Sequence, residues 1–466
     1  MLFDTGMVIA YLAVLAGIGI YIGRRVKDAD GFTAAGGRYG TLTIFASLSA
    51  SYIGGGYSSG NAAEAFTNGI GMTLALFGFS ISTILIGKFL VPGVERFKGA
   101  ATVGSIIGMT YGHAAQVLTG IFSFICCAGV VGAQMGAIGM VFNVLLGIEP
   151  RIGILIGCGI VILYSTTGGL QSVIIADIVQ FVMLVAGMPL LLLLSIRQAG
   201  GLGTMLGSLP SGYLNPFNGT TPAGFFSMFI TMMFGEALAP PYTQRLLIGR
   251  NPRGTARATV LSGLFSMPVF ILTGLIGMSA FSLNVTNDGA TAMPALVKSV
   301  LPTGMRGLVM ASMVSIILSA ADGFLNGASV GLVCDTIKVV RPSISKRSEL
   351  WWLRVINLLT GAAAVLVAFI LPGIFNILVL AYSFWSPLIL VPLAAALLGV
   401  KSNGASFRRA LEAGLVSSML WNHVMHKPWG IDGNVVGIFC NLVVFVICTR
   451  SFNKYREQRL LLCDRI

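Results

Sequence analysis

The sequence predicts an all-α integral membrane protein. Of its 466 residues, 55% are hydrophobic and only 10% are charged, a balance that excludes an ordinary soluble domain. Apolar runs long enough to cross a bilayer as helices recur along the whole chain, which also holds 60 glycines, a residue frequent in membrane helices. We therefore expect about thirteen transmembrane helices. They cover roughly 4–23, 41–61, 68–93, 115–146, 151–166, 172–196, 223–244, 258–282, 304–330, 353–371, 374–399, 409–426 and 433–450.

The positions of the basic residues predict the orientation in the membrane. With the N-terminus outside, most of the 29 Lys and Arg residues, Arg24, Arg25 and Arg245 among them, fall in cytoplasmic loops or in the C-terminal tail. We expect a multi-pass protein of the cell membrane with its C-terminus in the cytoplasm. The net charge of +13 follows from this bias, so we expect no nucleic-acid partner. The first run is expected to be a retained helix rather than a cleaved signal peptide.

Span two is interrupted by Gly54, Gly55 and Gly56 within ASLSASYIGGGYSSGNAAEAF (46–66). Glycine in a helix interior costs about 1 kcal/mol relative to alanine. Unwound backbone at membrane depth is tolerated only where it lines a cavity or is buried in protein. The run therefore predicts a binding site or a hinge, and the alternative is close helix packing through small residues.

Span seven carries a second interruption, Gly235 to Pro241, five spans later. Pro240 and Pro241 remove two backbone donors and clash with the preceding turn, so this helix must bend or break. Two broken helices at matching positions predict a transporter built on an inverted repeat, with substrate and ions near the bilayer midplane. A pair of kinks with only a packing role is the alternative.

Four acidic residues, Glu64, Asp177, Glu236 and Asp322, fall within or at the edge of predicted spans. An ionisable group at membrane depth is a functional candidate by default. Ser319 and Asp322 are three residues apart and share a helix face, and with unwound carbonyls they would form an oxygen site suited to a small cation. Alternatively, Asp322 reaches cytosolic water and Asp177 acts as a helix-cap acid.

No catalytic motif and no Cys or His cluster for metal ligation is present. The seven Cys lie mostly inside apolar runs, the three His form no ligand cluster, and no nucleophile, thiol-pair or phosphate-loop motif occurs. We expect that the protein is not an enzyme. Gln134, in span four, is expected either to face the substrate or to bond a neighbouring helix.

Three segments resemble the sodium:solute symporter family over about residues 32–400. They are YSTTGGLQSVIIADIVQ (164–180), ILSAADGFLNGAS (317–329) and PYTQRLLIGRN (241–251). Within the family, IGGGYSSGNAAEAF is most similar to the high-affinity choline transporter branch. The resemblance implies a LeuT-like fold, a five-plus-five inverted repeat whose first and sixth core helices are broken. The implied units are a peripheral helix (1–30), two repeat halves (31–200 and 201–400), two peripheral helices (401–450) and a cytoplasmic tail (451–466).

The resemblance also implies sodium, Na⁺, as the coupling ion. The family's main sodium site takes backbone carbonyls and hydroxyls from the first and eighth core helices. The matching residues are Ala50, Ile53, Ile316 and Ser319. Ala320 stands where the family often has a second hydroxyl, and some members hold a further sodium at positions matching Asp177 and Asp322. An Asp177–Asp322 pair could instead relay protons.

The predicted function is sodium-driven symport of a small organic solute by alternating access through a midplane site. The residues expected to line it are Ser51, Tyr52, Gly54, Gln134, Glu236 and Trp385. Choline is not expected, because Tyr52 and Ala133 stand where the choline branch has tryptophans. The alternatives are a proton-coupled symporter and a membrane sensor that binds a solute without transporting it. Beyond the solute and the lipid bilayer, neither a partner nor an oligomeric state is predicted.

Overall fold

The computed structural model describes residues 2–33, 38–371 and 373–463, with side chains described as far as Asn453. Within this part the backbone is helical and forms no β-strand, and Tyr39 and Gly249 make one isolated bridge. Several of the predicted units include residues outside the described part, namely 1, 34–37, 372 and 464–466.

The first half of the chain forms nine α-helices. They are α1 (Leu2–Gly23), α2 (Ala29–Thr33), α3 (Thr41–Tyr52), α4 (Asn61–Asn68), α5 (Gly71–Ala75), α6 (Phe77–Leu85), α7 (Val103–Tyr111), α8 (His113–Leu146) and α9 (Pro150–Gln198). Wider π-helical turns at Gly56–Gly60 and Ile86–Leu90 and a 3₁₀ stretch at Val91–Phe97 connect some of them. Such turns are frequent at functional or strained positions of helices.

The second half contributes twelve further α-helices within the described residues. They are α10 (Leu202–Gly207), α11 (Pro222–Phe234), α12 (Pro240–Leu247), α13 (Pro252–Ser282), α14 (Ala292–Val300), α15 (Met305–Leu332), α16 (Lys338–Val340), α17 (Lys346–Ile370), α18 (Ile374–Ser383), α19 (Val391–Leu398), α20 (Gly404–Met419) and α21 (Gly433–Cys463). Further π turns lie at Val333–Ile337, Ser386–Leu390 and Leu420–Val424, and 3₁₀ turns at Gly289–Thr291 and Pro428–Gly430.

Nine helical stretches of the described residues are long and apolar enough to cross a membrane, which confirms the predicted class. They are Leu2–Gly23, Gly71–Phe97, His113–Leu146, Pro150–Gln198, Pro252–Ser282, Met305–Val340, Lys346–Ile370, Ile374–Leu398 and Gly433–Asn453. The two interrupted segments are absent from this set because each is divided into shorter helices. The number of thirteen spans stays a prediction.

The glycine run ends α3 where the sequence predicts an interruption. The helix stops at Tyr52, and Ile53 leaves helical geometry with φ −100° and ψ 76°. A Cβ added at Gly54 would lie 2.7 Å from the Cβ of Ala320, and one at Gly55 would lie 2.7 Å from that of Ala137. Glycine is thus required because the broken segment passes directly against α8 and α15.

The proline pair begins a new helix after the second interruption. α11 ends at Phe234, and α12 begins with Pro240 and Pro241 in its first turn, where the missing N–H groups cost nothing. Between the two helices, Leu238 adopts a positive φ of 55°, which is uncommon for a branched side chain. Both predicted breaks are therefore present.

Predicted spans five and six are the two helical segments of α9, which are divided at Gly169, between the predicted boundaries of 166 and 172. The only non-helical backbone inside α9 is at Gly169, with φ 58° and ψ −151°. A Cβ there would lie 2.4 Å from the backbone oxygen of Phe32. The chain therefore changes direction at a single glycine, and Phe32 of α2 packs directly against that glycine.

α15 is the central helix of the bundle. Its most apolar stretch is 94% buried, against 22–67% for the other eight membrane-capable stretches. It packs against α8, α9, α1 and α17 and also against both broken segments through α3 and α12. Polar side chains on α15 are consequently held away from lipid and close to the two interruptions.

Candidate functional site

A small closed cavity lies between the two interrupted segments. Its volume, counted as space for the centres of water molecules, is about 10 Å³, which is room for about one water. Its lining residues are Ser51, Tyr52, Gly54, Gly56, Tyr57, Gln134, Glu236, Tyr242, Ala320, Phe324 and Leu378. The structure thus brings together five of the six residues predicted to contact the solute. Their role in binding stays a prediction.

Gln134 holds the broken end of the first segment. Its side-chain oxygen Oε1 accepts a hydrogen bond of 2.6 Å from the backbone N–H of Gly55. Unwound backbone inside a membrane protein needs such partners, because an unpaired amide in an apolar environment costs several kcal/mol. Gln134 therefore supports the unwound segment and also lines the cavity, so both roles expected for it are compatible.

Trp385 is fully buried but is not among the residues that line this cavity. Its indole N–H donates to the backbone oxygen of Ala237 at 2.9 Å. It thereby satisfies a carbonyl within the second break, since a broken helix leaves its last carbonyls unpaired. The structure therefore separates Trp385 from the other five residues predicted to contact the solute.

Glu236 is buried, with 4% exposure, and tyrosine hydroxyls surround it. Tyr242 donates to its Oε2 at 2.7 Å, and Tyr382 donates to its Oε1 at 2.6 Å. The hydroxyls of Tyr57 and Tyr382 lie 3.2 Å apart. Because Tyr382 gives its one proton to the carboxylate, Tyr57 is the donor in this pair.

Asp177, on α9, is at the centre of a second buried polar cluster. Its Oδ1 accepts from Ser319 at 2.7 Å and from Ser51 at 3.3 Å. Its Oδ2 accepts from Ser47 and from the Arg245 guanidinium, the latter at 2.8 Å. The carboxylate therefore joins the first broken helix, α12 and α15.

Arg245 is completely buried, which corrects its sequence-based assignment to a cytoplasmic loop. Besides Asp177, its guanidinium donates to the Ser47 hydroxyl at 2.7 Å, the Ser51 hydroxyl at 2.8 Å and the Pro241 carbonyl at 2.9 Å. A planar guanidinium with five donors suits such a site. Its charge is directed at Asp177 and not at solvent.

The four residues predicted as main sodium ligands lie where α3 meets α15. α3 ends at Tyr52, so the carbonyls of its last turn, including that of Ala50, lack helical partners. Ile53 follows directly, and its neighbour Gly54 contacts Ala320 beside Ser319. Ser319 and Ile316 lie one turn apart on α15. Backbone carbonyls and hydroxyls are hard oxygen donors, which fits a small hard cation.

Asp322 lies one turn further along α15, and like Ser319 it contacts α9. Its Oδ2 accepts a hydrogen bond of 2.6 Å from the Tyr164 hydroxyl, while Oδ1 has no hydrogen-bond partner among the described atoms. Both side-chain atoms of Asn326 are equally unpartnered and buried. These unpaired polar atoms of Asp322 and Asn326 could bind a water molecule or an ion.

The tyrosines around Glu236 and the role of Arg245 could not be found from sequence spacing. Tyr57 follows the glycine run, Tyr242 follows the proline pair, and Tyr382 lies near the end of α18. No local pattern connects them with the acid. For Arg245, the available signal was its place two turns after the break, within the motif QRLLIGR.

Residues 32–416 match the model of the sodium:solute symporter family. The chain belongs to the sodium:solute symporter family. As expected of a member, it has a LeuT-like fold with broken first and sixth core helices.

Curated relatives are distant members of the same family. The chain is 25% identical over 397 residues to solute carrier family 5 member 4A of Mus musculus, covering 74% of this chain and 60% of the relative. It is 24% identical to high affinity choline transporter 1 of Homo sapiens, covering 80% of this chain and 68% of the relative. The chain thus spans about 60% of the length of the first of these.

Solved structures support the fold. A Na⁺-coupled sialic acid symporter in a substrate-bound, outward-open state aligns with a TM-score of 0.85 at 16% identity, over 96% of this chain and 97% of that one. Mhp1, a nucleobase-cation-symport-1 family transporter in a closed conformation, aligns with a TM-score of 0.63 at 14% identity, over 92% and 95%. At these identities the likeness concerns architecture alone.

Proposed function

We propose that the protein is a secondary transporter in which a sodium gradient drives symport of a small organic solute. The observation that carries this proposal is the cavity between two broken helices, with freed carbonyls and buried hydroxyls beside it. Broken helices of this kind supply dipole ends and carbonyls for solutes and ions at the midplane. Membership in a family of sodium:solute symporters supports the same conclusion.

Sodium would be held by the carbonyls of Ala50, Ile53 and Ile316 and by the Ser319 hydroxyl. Ser319 donates its proton to Asp177, so its oxygen lone pairs are free to face a cation. Ala320 offers no hydroxyl, and this site therefore has one oxygen donor fewer than its relatives often have. Asp322, with its unpartnered Oδ1, is the candidate for a second coupling ion.

The solute would bind in the cavity lined by Ser51, Tyr52, Gly54, Gln134 and Glu236. Because the cavity is closed in this structure, binding requires the surrounding helices to separate. Alternating access would provide this by rocking the repeat half 31–200 against the half 201–400. We place the N-terminus outside and the C-terminal tail in the cytoplasm, following the distribution of basic residues.

The main alternative is proton coupling. Asp177 of α9 accepts from Ser319 of α15, and Asp322 of α15 accepts from Tyr164 of α9, so two buried carboxylates lie at one helix interface. Ala320 leaves the proposed sodium site with one hydroxyl fewer than its relatives often have. An exchange of protons between buried acids is a known means of driving transport. In that case solute binding would respond to pH and not to sodium.

The test is the thermal stability of the purified protein in detergent, titrated with NaCl against KCl at constant ionic strength. A ligand that binds the folded state stabilises it by RT ln(1 + [L]/Kd), so sodium should raise the melting temperature saturably and potassium should not. Ser319→Ala should reduce this response because it removes a donor. Ser417→Ala is the matched control, since that hydroxyl bonds only the backbone of its own peripheral helix.

An equal response to both salts would contradict sodium binding. An undiminished sodium response in Ser319→Ala would place the ion elsewhere. A response to pH that Asp322→Asn abolishes would favour the proton-coupled alternative.

A further inference from the structure

Glu236 is the only charged residue among those that line the cavity. The other lining side chains are apolar, aromatic, hydroxyl-bearing or amide-bearing, and glycines complete the wall. An acidic residue at membrane depth is expensive to maintain and normally has a functional partner. The identity of that partner therefore bears directly on what the cavity binds.

No basic side chain of the described residues pairs with Glu236. The ion pairs of the described part join Arg245 with Asp177 and three lysines with Glu349, Asp30 and Asp432. Arg245 lies two to three turns away along the same segment, and its guanidinium is fully engaged by Asp177, Ser47, Ser51 and the Pro241 carbonyl. A buried carboxylate without a counter-charge is unfavourable, so a cation from outside the protein would complete the site.

The hydroxyl groups around Glu236 are arranged to stabilise a charged carboxylate. Both of its oxygens accept from tyrosines, Oε2 from Tyr242 and Oε1 from Tyr382, and Tyr57 in turn donates to Tyr382. An ionised carboxylate only accepts hydrogen bonds, whereas a protonated one must also donate. The two direct donors, with Tyr57 donating to one of them, therefore suit the negatively charged form and hold its position.

Aromatic rings enclose the same space. The rings of Tyr52 and Tyr242 are 4.6 Å apart between centroids, and those of Tyr242 and Phe324 are 5.5 Å apart. Tyr57 joins this group through Phe79, which lies 5.2 Å from Tyr57 and 5.0 Å from Tyr52. The faces of such rings attract cations, and more strongly where water is excluded. Charge and ring contacts thus favour the same kind of ligand.

We propose that the transported solute is a small organic cation whose ammonium group binds between the Glu236 carboxylate and the tyrosine rings of the cavity. This inference rests on the proposed transport function and adds the charge of its substrate. Gln134, which also lines the cavity, would accept or donate a hydrogen bond at the polar end of the solute. The negative charge would also reject anionic solutes, because a like charge in a desolvated site costs several kcal/mol.

The experiment compares solutes of different charge by thermal stabilisation of the purified protein, in sodium and in potassium buffer. The cations are ethanolamine, choline and 1,4-diaminobutane. The neutral solutes are 3,3-dimethylbutan-1-ol, which matches choline in shape without its charge, and myo-inositol; the anions are acetate and 3-hydroxybutyrate. We expect stabilisation by at least one cation, enhanced by sodium, and none by its neutral or anionic counterparts.

The same titration with the Glu236→Gln variant tests whether the Glu236 carboxylate binds the cation. Loss of one partner of a buried charge pair should weaken the apparent affinity for the cation by about 30-fold or more. Glu64→Gln is the matched control, because Glu64 lies beyond the other interruption and bonds only Asn68. If Glu236→Gln folds poorly, Tyr382→Phe is the second variant, because it keeps the ring and removes one hydroxyl donor. It should lower the affinity for the organic cation and leave the stabilisation by sodium unchanged.

The outcomes distinguish a failure of the cation assignment from a failure of the proposed transport function. Sodium-enhanced stabilisation by a neutral or anionic solute would overturn the cation assignment and leave transport in place. A cation that binds Glu236→Gln as tightly as the wild type would also overturn it. Absence of any sodium effect and of any solute effect would overturn the transport proposal itself, and the cation assignment with it.

Discussion

Arg245 and Asp177 form a fully buried ion pair that connects three core elements. The pair joins α12, which follows the second break, to α9, and through Ser47 and Ser51 it also reaches α3. Removing one partner of a buried pair is strongly unfavourable, because the remaining charge is left without compensation. The pair therefore holds the two interrupted segments in register, next to the predicted sodium ligands.

We predict that Arg245→Gln destabilises the protein by about 3–5 kcal/mol, because Asp177 then remains buried without a counter-charge. Thermal or denaturant unfolding in detergent measures this change. Arg250→Gln is the control, since Arg250 is exposed five residues later and should change stability by no more than about 0.5 kcal/mol. Adding Asp177→Asn to Arg245→Gln should recover part of the loss, and an additive double variant would contradict the direct pairing.

Individual cavity residues were predictable where the sequence marked a helix break or placed a polar residue inside an apolar run. Glu236 and Gln134 were found because each is a polar group inside an apolar run, Gly54 because it belongs to the glycine run, and Tyr52 because it lies just before that run. Arg245 was assigned to the cytoplasm because the distribution of charges along a sequence cannot distinguish a buried cation from one in a loop. The pairing with Asp177, 68 residues away, exists only in the folded bundle.

At the scale of elements, the first interruption is a close contact between helices. Gly54 is adjacent to Ala320 of α15 and to the Gln134 amide of α8, so the unwound backbone touches two neighbours at once. This approach brings the end of α3 beside Ala320, the neighbour of Ser319 on α15. The structure thus shows the close packing raised from the sequence, and the binding site stays a prediction.

We predict that Gly54→Ala costs about 1–3 kcal/mol of stability and abolishes the response to sodium, because its Cβ would lie 2.7 Å from the Cβ of Ala320. Sodium titration of the melting temperature measures both effects. Gly17→Ala in α1 is the control, since no heavy atom lies within 4 Å of its Cβ. A Gly54→Ala protein with an intact sodium response would separate the break from the ion site.

A second element-scale contact attaches α7 to the end of the central helix. Asp335, buried in the π turn after α15, accepts from Thr102 at 2.6 Å, Gln116 at 3.1 Å and Ser105 at 3.3 Å. Thr102 also caps α7 through the backbone N–H of Ser105. One carboxylate therefore fixes the start of α7 and the start of α8 to the helix that carries Ser319.

We predict that Asp335→Ala releases α7 and accelerates backbone hydrogen exchange over residues 103–111, because three donors lose their acceptor. Each unsatisfied donor costs about 1–3 kcal/mol. Glu412→Ala, an exposed acid on α20, is the control and should leave this exchange unchanged. Equal protection of 103–111 in both variants would show that packing alone holds α7.

The two breaks were predictable at this scale because glycine runs and proline pairs act locally on the backbone. The division between predicted spans five and six was predictable for the same reason, because the glycines at 168 and 169 mark the position where α9 changes direction. The approach of Phe32 that makes this glycine necessary is a tertiary contact. Short-range signals therefore located the two breaks and this kink, but not the tertiary contacts that make the glycines necessary.

At the scale of the whole molecule, the breaks, the ion pair and the Glu236 cluster surround one central helix. α15 carries Ile316 and Ser319, two of the four residues predicted as main sodium ligands, and it borders the proposed solute cavity through Ala320 and Phe324. Ion and solute sites that share one helix and one broken segment can stabilise each other, since each orders backbone that the other uses. This arrangement is the physical basis expected for coupling.

The central claim is that sodium and a solute move together, and the most direct measurement is the transient current of proteoliposomes adsorbed on a solid-supported membrane. The solutes of the stabilisation experiment are added by rapid exchange in sodium buffer and then in potassium buffer, at two pH values. The account predicts a solute-evoked current that requires sodium and is absent from Ser319→Ala. Solute binding without current would indicate a sensor, and a current that follows pH and ignores sodium would contradict sodium coupling.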